Sequence, residues 1–146
     1  MKIIVDANIV FSAILNSKGK IGEILINSNS KIEFIAPNFL KTEIAKHYQK
    51  ICKISGLTEL QLIEISQIIY KNINFINEEL IDSSFWDEAF MLTQNIDPKD
   101  TPYIAYALHF NCLIWSGDLA LINGLHKYGF DNFINTNVLL ELNKNL

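Results

Sequence analysis

Arginine is absent from this chain: all 12 basic residues are lysines. That leaves no planar, bidentate clamp for a phosphate. A positive surplus is missing too, since the formal net charge is −4 and the pI is about 5.3. That balance argues against binding nucleic acid by a basic surface alone. That exclusion does not reach an enzyme whose carboxylates are masked by bound cations. Cysteine is scarce: Cys52 and Cys112 lie far apart and form no CxxC pair. The three histidines supply no zinc spacing, so both cysteines are expected to be free core thiols. No apolar run approaches the roughly 18 residues that a membrane span needs. Met1-Lys2-Ile3-Ile4-Val5-Asp6 carries an early charge and lacks the long apolar stretch of a signal peptide, so a cytoplasmic protein with no membrane partner is expected. Repeats, low-complexity tracts and linkers are absent as well.

What is present suits one folded unit over residues 1–146. Hydrophobic residues make up 49%, ample for a core, and charged residues only 19%, which argues against disorder. Lys2 to Val5 reads as a buried parallel strand, because its apolar run does not alternate. A short helical stretch, a loop at Asn16–Gly19 and a helix near Lys20–Asn27 follow. Ile32–Ile35 predicts a second strand. A single helix is predicted from Asn38, as its cap, to about Ile51. Thr58 and Gln61 fit a capping box for a helix reaching about Lys71. Ile73–Ile76 reads as a third strand, and Ser83 or Ser84 starts a helix that lasts to about Gln94. Asp97-Pro98-Lys99-Asp100 is a loop. Thr101 is expected to cap the next helix, with Pro102 at its first position. Cys112–Trp115 is a strong strand, ended by Ser116-Gly117. A helix from about Leu119 to Tyr128, a short strand at Phe133-Ile134 and a helix from Asn137 close the chain. Strands alternating with helices imply an α/β fold with a parallel sheet covered on both faces. In such folds the site lies beyond the carboxyl ends of the strands.

Several acids fall where that edge should be. Asp6 directly follows the first strand, and Asp118 follows the Cys112–Trp115 strand after a Ser-Gly turn. Either alone is ordinarily a helix cap or turn former, but two at equivalent places in one sheet are more informative. Glu43 borders the apolar stripe of Leu40, Ile44, Tyr48 and Ile51. A solvated helix glutamate is its ordinary reading; a carboxylate at a core margin otherwise needs compensation, and a metal supplies it. Asp100 precedes the Thr101-Pro102 helix start, where an anion is favoured in any case. Asp97 is its rival and also shapes the loop before Pro98.

The resemblance these residues carry is to the PIN domain, the nuclease fold of VapC-type toxins. It rests on Val5-Asp6-Ala7-Asn8, on Leu40-Lys41-Thr42-Glu43-Ile44, on Asp97 through Ala105, and on Trp115-Ser116-Gly117-Asp118, in that order along nearly the whole chain. It implies a PIN-like three-layer fold, a central parallel sheet flanked by helices, with a four-acid site for Mg²⁺ or Mn²⁺ that hydrolyses RNA phosphodiesters. Asp6 and Asp118 would be the primary ligands, with Glu43 and Asp100 completing the site and orienting the attacking water. Asn8 and Ser116 would donate supporting hydrogen bonds or hold phosphate. Relatives often carry another acid two residues after the last aspartate, but here that position is Ala120, so a fifth acidic ligand there is not implied.

The chemistry suits the residues. A phosphodiester is anionic and repels hydroxide; divalent metals neutralise it and lower the pKa of bound water. Mg²⁺ prefers oxygen ligands and keeps several waters, so converging carboxylates suit it. Products with a 5′-phosphate and a 3′-hydroxyl are expected. An endoribonuclease that is the toxin of a type II toxin–antitoxin pair is the leading reading, with an antitoxin protein and a homodimer as further possible partners. Two alternatives stand beside it. A non-catalytic PIN-like scaffold would share the fold. A haloacid-dehalogenase-like phosphatase would need a second aspartate where this chain has Asn8, and another acid within Leu119–Ile122, where there is none. Lys46, Lys50 and Lys53 fall at i, i+4 and i+7 and could contact RNA phosphates, although a solvated face is their ordinary role. His47, four residues after Glu43, reads as a core-margin histidine or a partner of that glutamate. Trp115 reads as a packing residue.

Overall fold

The structure is a computed structural model and describes residues 1–146. The unbroken apolar run at the N-terminus forms β1 (Lys2–Val5), in which Ile3, Ile4 and Val5 are wholly buried. Asp6 ends the strand and starts α1 (Ala7–Leu15), its Oδ1 accepting from the Ile9 amide at 3.0 Å. α2 (Lys20–Ile26) leads to β2 (Glu33–Pro37), which pairs parallel to β1.

Next come α3 (Phe39–Lys46) and α4 (Tyr48–Ser55), where the sequence predicts one helix. His47 separates them. Its φ of −106° and ψ of 8° leave the helical region, and its amide bonds back only three residues, to Ile44 O at 3.1 Å. Such a tightened turn re-aims the chain. Lys46 therefore lies on one helix and Lys50 and Lys53 on the next, so the single lysine face expected from their spacing is split. Asn38 does not cap α3 either. Its backbone is already helical and its side chain makes no capping bond. Glu78, in a 3₁₀ turn at Glu78–Leu80, reaches across instead and accepts from the Phe39 amide at 2.9 Å.

Gly56 closes α4 with φ 73°, a left-handed conformation that glycine adopts without strain. Thr58 and Gln61 make the reciprocal capping box of α5 (Glu59–Tyr70), as expected. β3 (Ile73–Ile76) then pairs with β2. α6 (Ser83–Thr93) is capped by Asp82, one residue before the predicted serines. α7 (Thr101–Phe110), unlike α6, which begins at Ser83 as expected, starts one residue early. Thr101 is its first residue rather than its cap, because its hydroxyl is already engaged with Pro98 O at 2.7 Å and Thr93 Oγ1 at 2.6 Å. Pro102 is thus the second helical residue, and its missing N–H still costs nothing there. β4 (Leu113–Trp115), α8 (Leu119–His126), β5 (Phe133–Ile134) and α9 (Thr136–Asn145) complete the chain.

All five strands run parallel in the order β3-β2-β1-β4-β5. Parallel crossovers are right-handed. Helices leading outward from β1 to β3 therefore lie on one face, and those returning from β3 to β4 lie on the other. α7 accordingly packs on β1, β2 and β4, while α1, α2 and α5 pack on one another. The result is the expected three-layer α/β arrangement. Trp115 is wholly buried against Phe34, with ring centroids 5.6 Å apart, and its Nε1 donates to Thr136 Oγ1 at 3.0 Å. Cys52 and Cys112 are free but only half-buried, at the margin of the core rather than inside it. Burial pushes the Cys112 thiol up to about 11. No helix is long and apolar enough to cross a membrane.

Candidate active site

The strand register builds the site. Val5 pairs with Trp115, so Asp6 and Ser116 leave neighbouring strands side by side at the carboxyl edge. β1 connects outward to β2 while β4 lies on its other side, so this edge is the switch point where α/β sheets open a crevice. Ser116 is buried, and its Oγ accepts from the Asp118 amide at 3.1 Å. Asp118 in turn caps α8, its Oδ1 accepting from the Leu121 amide at 3.1 Å. Both post-strand aspartates therefore play the ordinary structural role of a cap. A cap uses one carboxylate oxygen and leaves the other available.

Capping does not account for the company these acids keep. Asp6, Glu43, Asp97, Asp100 and Asp118 all line one cavity of about 430 Å³. Asp6 is 4% exposed. Burial holds its carboxyl above the usual range and the charge of Asp118 adds to the rise, while hydrogen bonding from Ser116 and the Ile9 amide pulls the other way. Asp100 is pushed up to about 7, first by burial and then by the charges of Asp97, Asp118 and Asp6. Its Oδ2 is buried and has no hydrogen-bond partner. Glu43 reaches the cavity from α3, between the buried Leu40 and Ile44, with Lys46 Nζ 4.0 Å from its Oε1.

No three acid, histidine or cysteine side chains converge closely enough to hold one ion. Asp6 and Asp118 are each drawn to a helix amide. The donor chemistry nevertheless fits a hard divalent cation. All the donors are oxygens, two of the acids are held up by burial and mutual repulsion, and one buried carboxylate oxygen lacks any partner.

The other sequence-derived candidates divide. Asn8 lines the acid cavity. Ser116 does not, but lies beneath it between Asp6 and Asp118. Asp97 lines the cavity and also caps the 3₁₀ turn Pro98–Asp100, accepting from the Lys99 amide at 3.0 Å. None of Lys46, Lys50 and Lys53 lines the acid cavity. Lys50 borders a neighbouring one that shares Asn8, Phe11 and His47 with it. The lysine at the acid cavity is Lys99, which the sequence reading passed over. His47 is exposed at the rim, its ring edge-on to Phe11 at 5.4 Å, rather than at the core margin. Tyr103 was missed as well. It lies one turn after Asp100 on α7, is 4% exposed, and has a buried hydroxyl with no hydrogen-bond partner. Burial, then the charges of Asp6, Glu43 and Asp100, hold this phenol firmly protonated. Its spacing of three from Asp100 on a predicted helix was the available signal.

Three comparisons with known proteins bear on this geometry. A family model described as PIN domain matches residues 4–139. Among solved structures, the crystal structure of PAE2754 from Pyrobaculum aerophilum superposes with a TM-score of 0.69. The alignment covers 100% of this chain and 91% of that one, at 11% sequence identity. At that identity the likeness shows the fold alone. A search of curated proteins gives no match.

Proposed function

This chain belongs to the PIN-domain family, whose members are generally nucleases, and on that premise we propose that it is a metal-dependent endoribonuclease. The observation that carries the reading is the gathering of five carboxylates at the sheet's switch point, one of them with a buried, unpartnered oxygen. Asp6 and Asp118 would hold Mg²⁺ or Mn²⁺, with Glu43 and Asp100 completing the set and Asp97 in reserve. The bound cation supplies neutralisation of the RNA phosphate and a water acidic enough to attack it. The chain's own residues do the rest. The caps made by Asp6 and Asp118 fix these side chains to the starts of α1 and α8. Ser116 accepts from the Asp118 amide and bears on Asp6, and Asn8 and Lys99 would offer donors to the anionic substrate at the cavity wall.

Within this reading we assign the chain as the toxin of a type II toxin–antitoxin pair, restrained by an antitoxin protein and able to form a homodimer. The resemblance of its four acidic motifs to VapC-type toxins supports that assignment. A non-catalytic scaffold draws on one observation, the failure of any three acids to converge. Calorimetric titration with Mn²⁺ separates the two, since a scaffold would release no binding heat. The decisive chemistry is read from the ends of digested RNA. Products with a 5′-phosphate and a 3′-hydroxyl support hydrolysis by activated water, whereas a 2′,3′-cyclic phosphate would sink it.

A further inference from the structure

Buried tyrosine hydroxyls nearly always have a hydrogen-bond partner, and each exception needs a reason. α7 contains both cases. Tyr106 is wholly buried and donates to Ile76 O at 2.6 Å. Tyr103, one turn earlier and 4% exposed, has no partner for its hydroxyl. Tyr103 lines the acid cavity, and the charges of Asp6, Glu43 and Asp100 bear on its phenol. The Ala7 amide is near the phenol oxygen but can only donate to it, and no acceptor takes the O–H hydrogen. None of these acids takes that hydrogen: Asp6 Oδ1 is turned to the Ile9 amide, and the hydroxyl has no hydrogen-bond partner among the carboxylate oxygens.

A phosphodiester entering this cavity meets five carboxylates and no arginine. Beyond any bound cation, it needs neutral or positive donors at the place where it comes to rest. A buried O–H that is desolvated in advance and bonded to no acceptor of the protein is such a donor, and its bond to an ionised oxygen is stronger than one between neutral groups. We propose that Tyr103 is a substrate-binding residue whose hydroxyl donates to a non-bridging oxygen of the scissile RNA phosphate. The assignment rests on the nuclease reading above.

Tyr103→Phe removes Oη alone and keeps the ring that packs against Phe39, whose centroid is 5.7 Å away. Because the hydroxyl is unpartnered in the free protein, the variant should melt at the same temperature as the wild type or higher. Its kcat/KM on single-stranded RNA should fall roughly ten- to a hundredfold. RNA carrying a phosphorothioate at the cleaved linkage supplies a readout that a structural role would not move. Sulfur is a poor acceptor, so one diastereomer should slow the wild type more than it slows Tyr103→Phe. Equal kcat/KM in the two proteins would overturn the assignment, as would equal thio penalties for both diastereomers. A loss of activity that tracks a lower melting temperature would make Tyr103 structural and overturn it too. If the wild type cleaves no RNA, the nuclease reading fails and this assignment fails with it; an active wild type beside an unaffected variant removes Tyr103 alone.

Discussion

Neutralising Asp100 should stabilise the metal-free protein at neutral pH and weaken its hold on a cation. Burial and the charges of Asp97, Asp118 and Asp6 raise its carboxyl from 3.8 to about 7. A raised folded-state value means that the folded protein binds the proton more tightly than the unfolded chain does. The stability this contributes is fully present below about pH 4 and is lost as pH rises toward about 7. Unscreened, the shift is worth about 4 kcal/mol. Asp100 is only half-buried, so solvent screening reduces that to about 1–2 kcal/mol. For a chain of this length that is a melting shift of roughly 3–6 °C. The assay is thermal unfolding of wild type and Asp100→Asn in EDTA from pH 4 to pH 8. The Asn variant should melt higher at pH 8, and the gap should close toward pH 4. Adding Mn²⁺ at a hundredfold over its Kd should stabilise the wild type by about 2.7 kcal/mol. The variant should gain less, narrowing or reversing the order. A gap that does not change with pH, or a variant less stable than the wild type at pH 8 in EDTA, would refute the claim that neighbouring acids strain Asp100.

Asp6 carries a cap and a proposed ligand on one side chain, and two substitutions separate them. Asp6→Asn should keep the α1 cap and, since burial also raises this carboxyl, melt at or above the wild-type temperature in EDTA, whereas Asp6→Ala should lose about 1 kcal/mol of capping; metal-dependent cleavage should vanish in both. Glu78→Ala leaves the Phe39 amide without its partner, so chemical denaturation should show a loss of about 1 kcal/mol, and kcat/KM should drop as α3 frays beneath Glu43. Replacing Lys46, Lys50 and Lys53 together should weaken RNA binding and flatten its salt dependence. An unchanged salt slope would remove them from the RNA path, leaving Lys99 as the lysine to test.

The framework was legible because its signals are local. Ile3-Ile4-Val5 reads as a buried parallel strand from its pattern alone, and Thr58 with Gln61 is a capping box three residues long. Once β1 and β4 are strands of one parallel sheet, Asp6 and Ser116 must leave it at the same edge. What escaped the sequence depends on distant partners. The cap of α3 comes from Glu78, 39 residues beyond Phe39. Thr101 cannot serve as a cap because Thr93 and Pro98 claim its hydroxyl. The break at His47 lies inside a run whose apolar spacing continues smoothly from Leu40 to Ile51, so periodicity gave no warning of it. In the sequence Tyr103 is one more aromatic on a predicted helix, marked only by its spacing from Asp100. Only the fold shows that its hydroxyl is buried at the acid cavity and bonded to no acid.

The central claim is that these carboxylates work through a divalent cation to cut RNA. The most direct measurement is cleavage of end-labelled single-stranded RNA by wild type and Asp6→Asn, purified side by side, in Mn²⁺, Mg²⁺ or EDTA. Cleavage by the wild type with metal, and none with EDTA or from Asp6→Asn, is the predicted result. Equal cleavage by both proteins, or cleavage that persists in EDTA, would contradict the account.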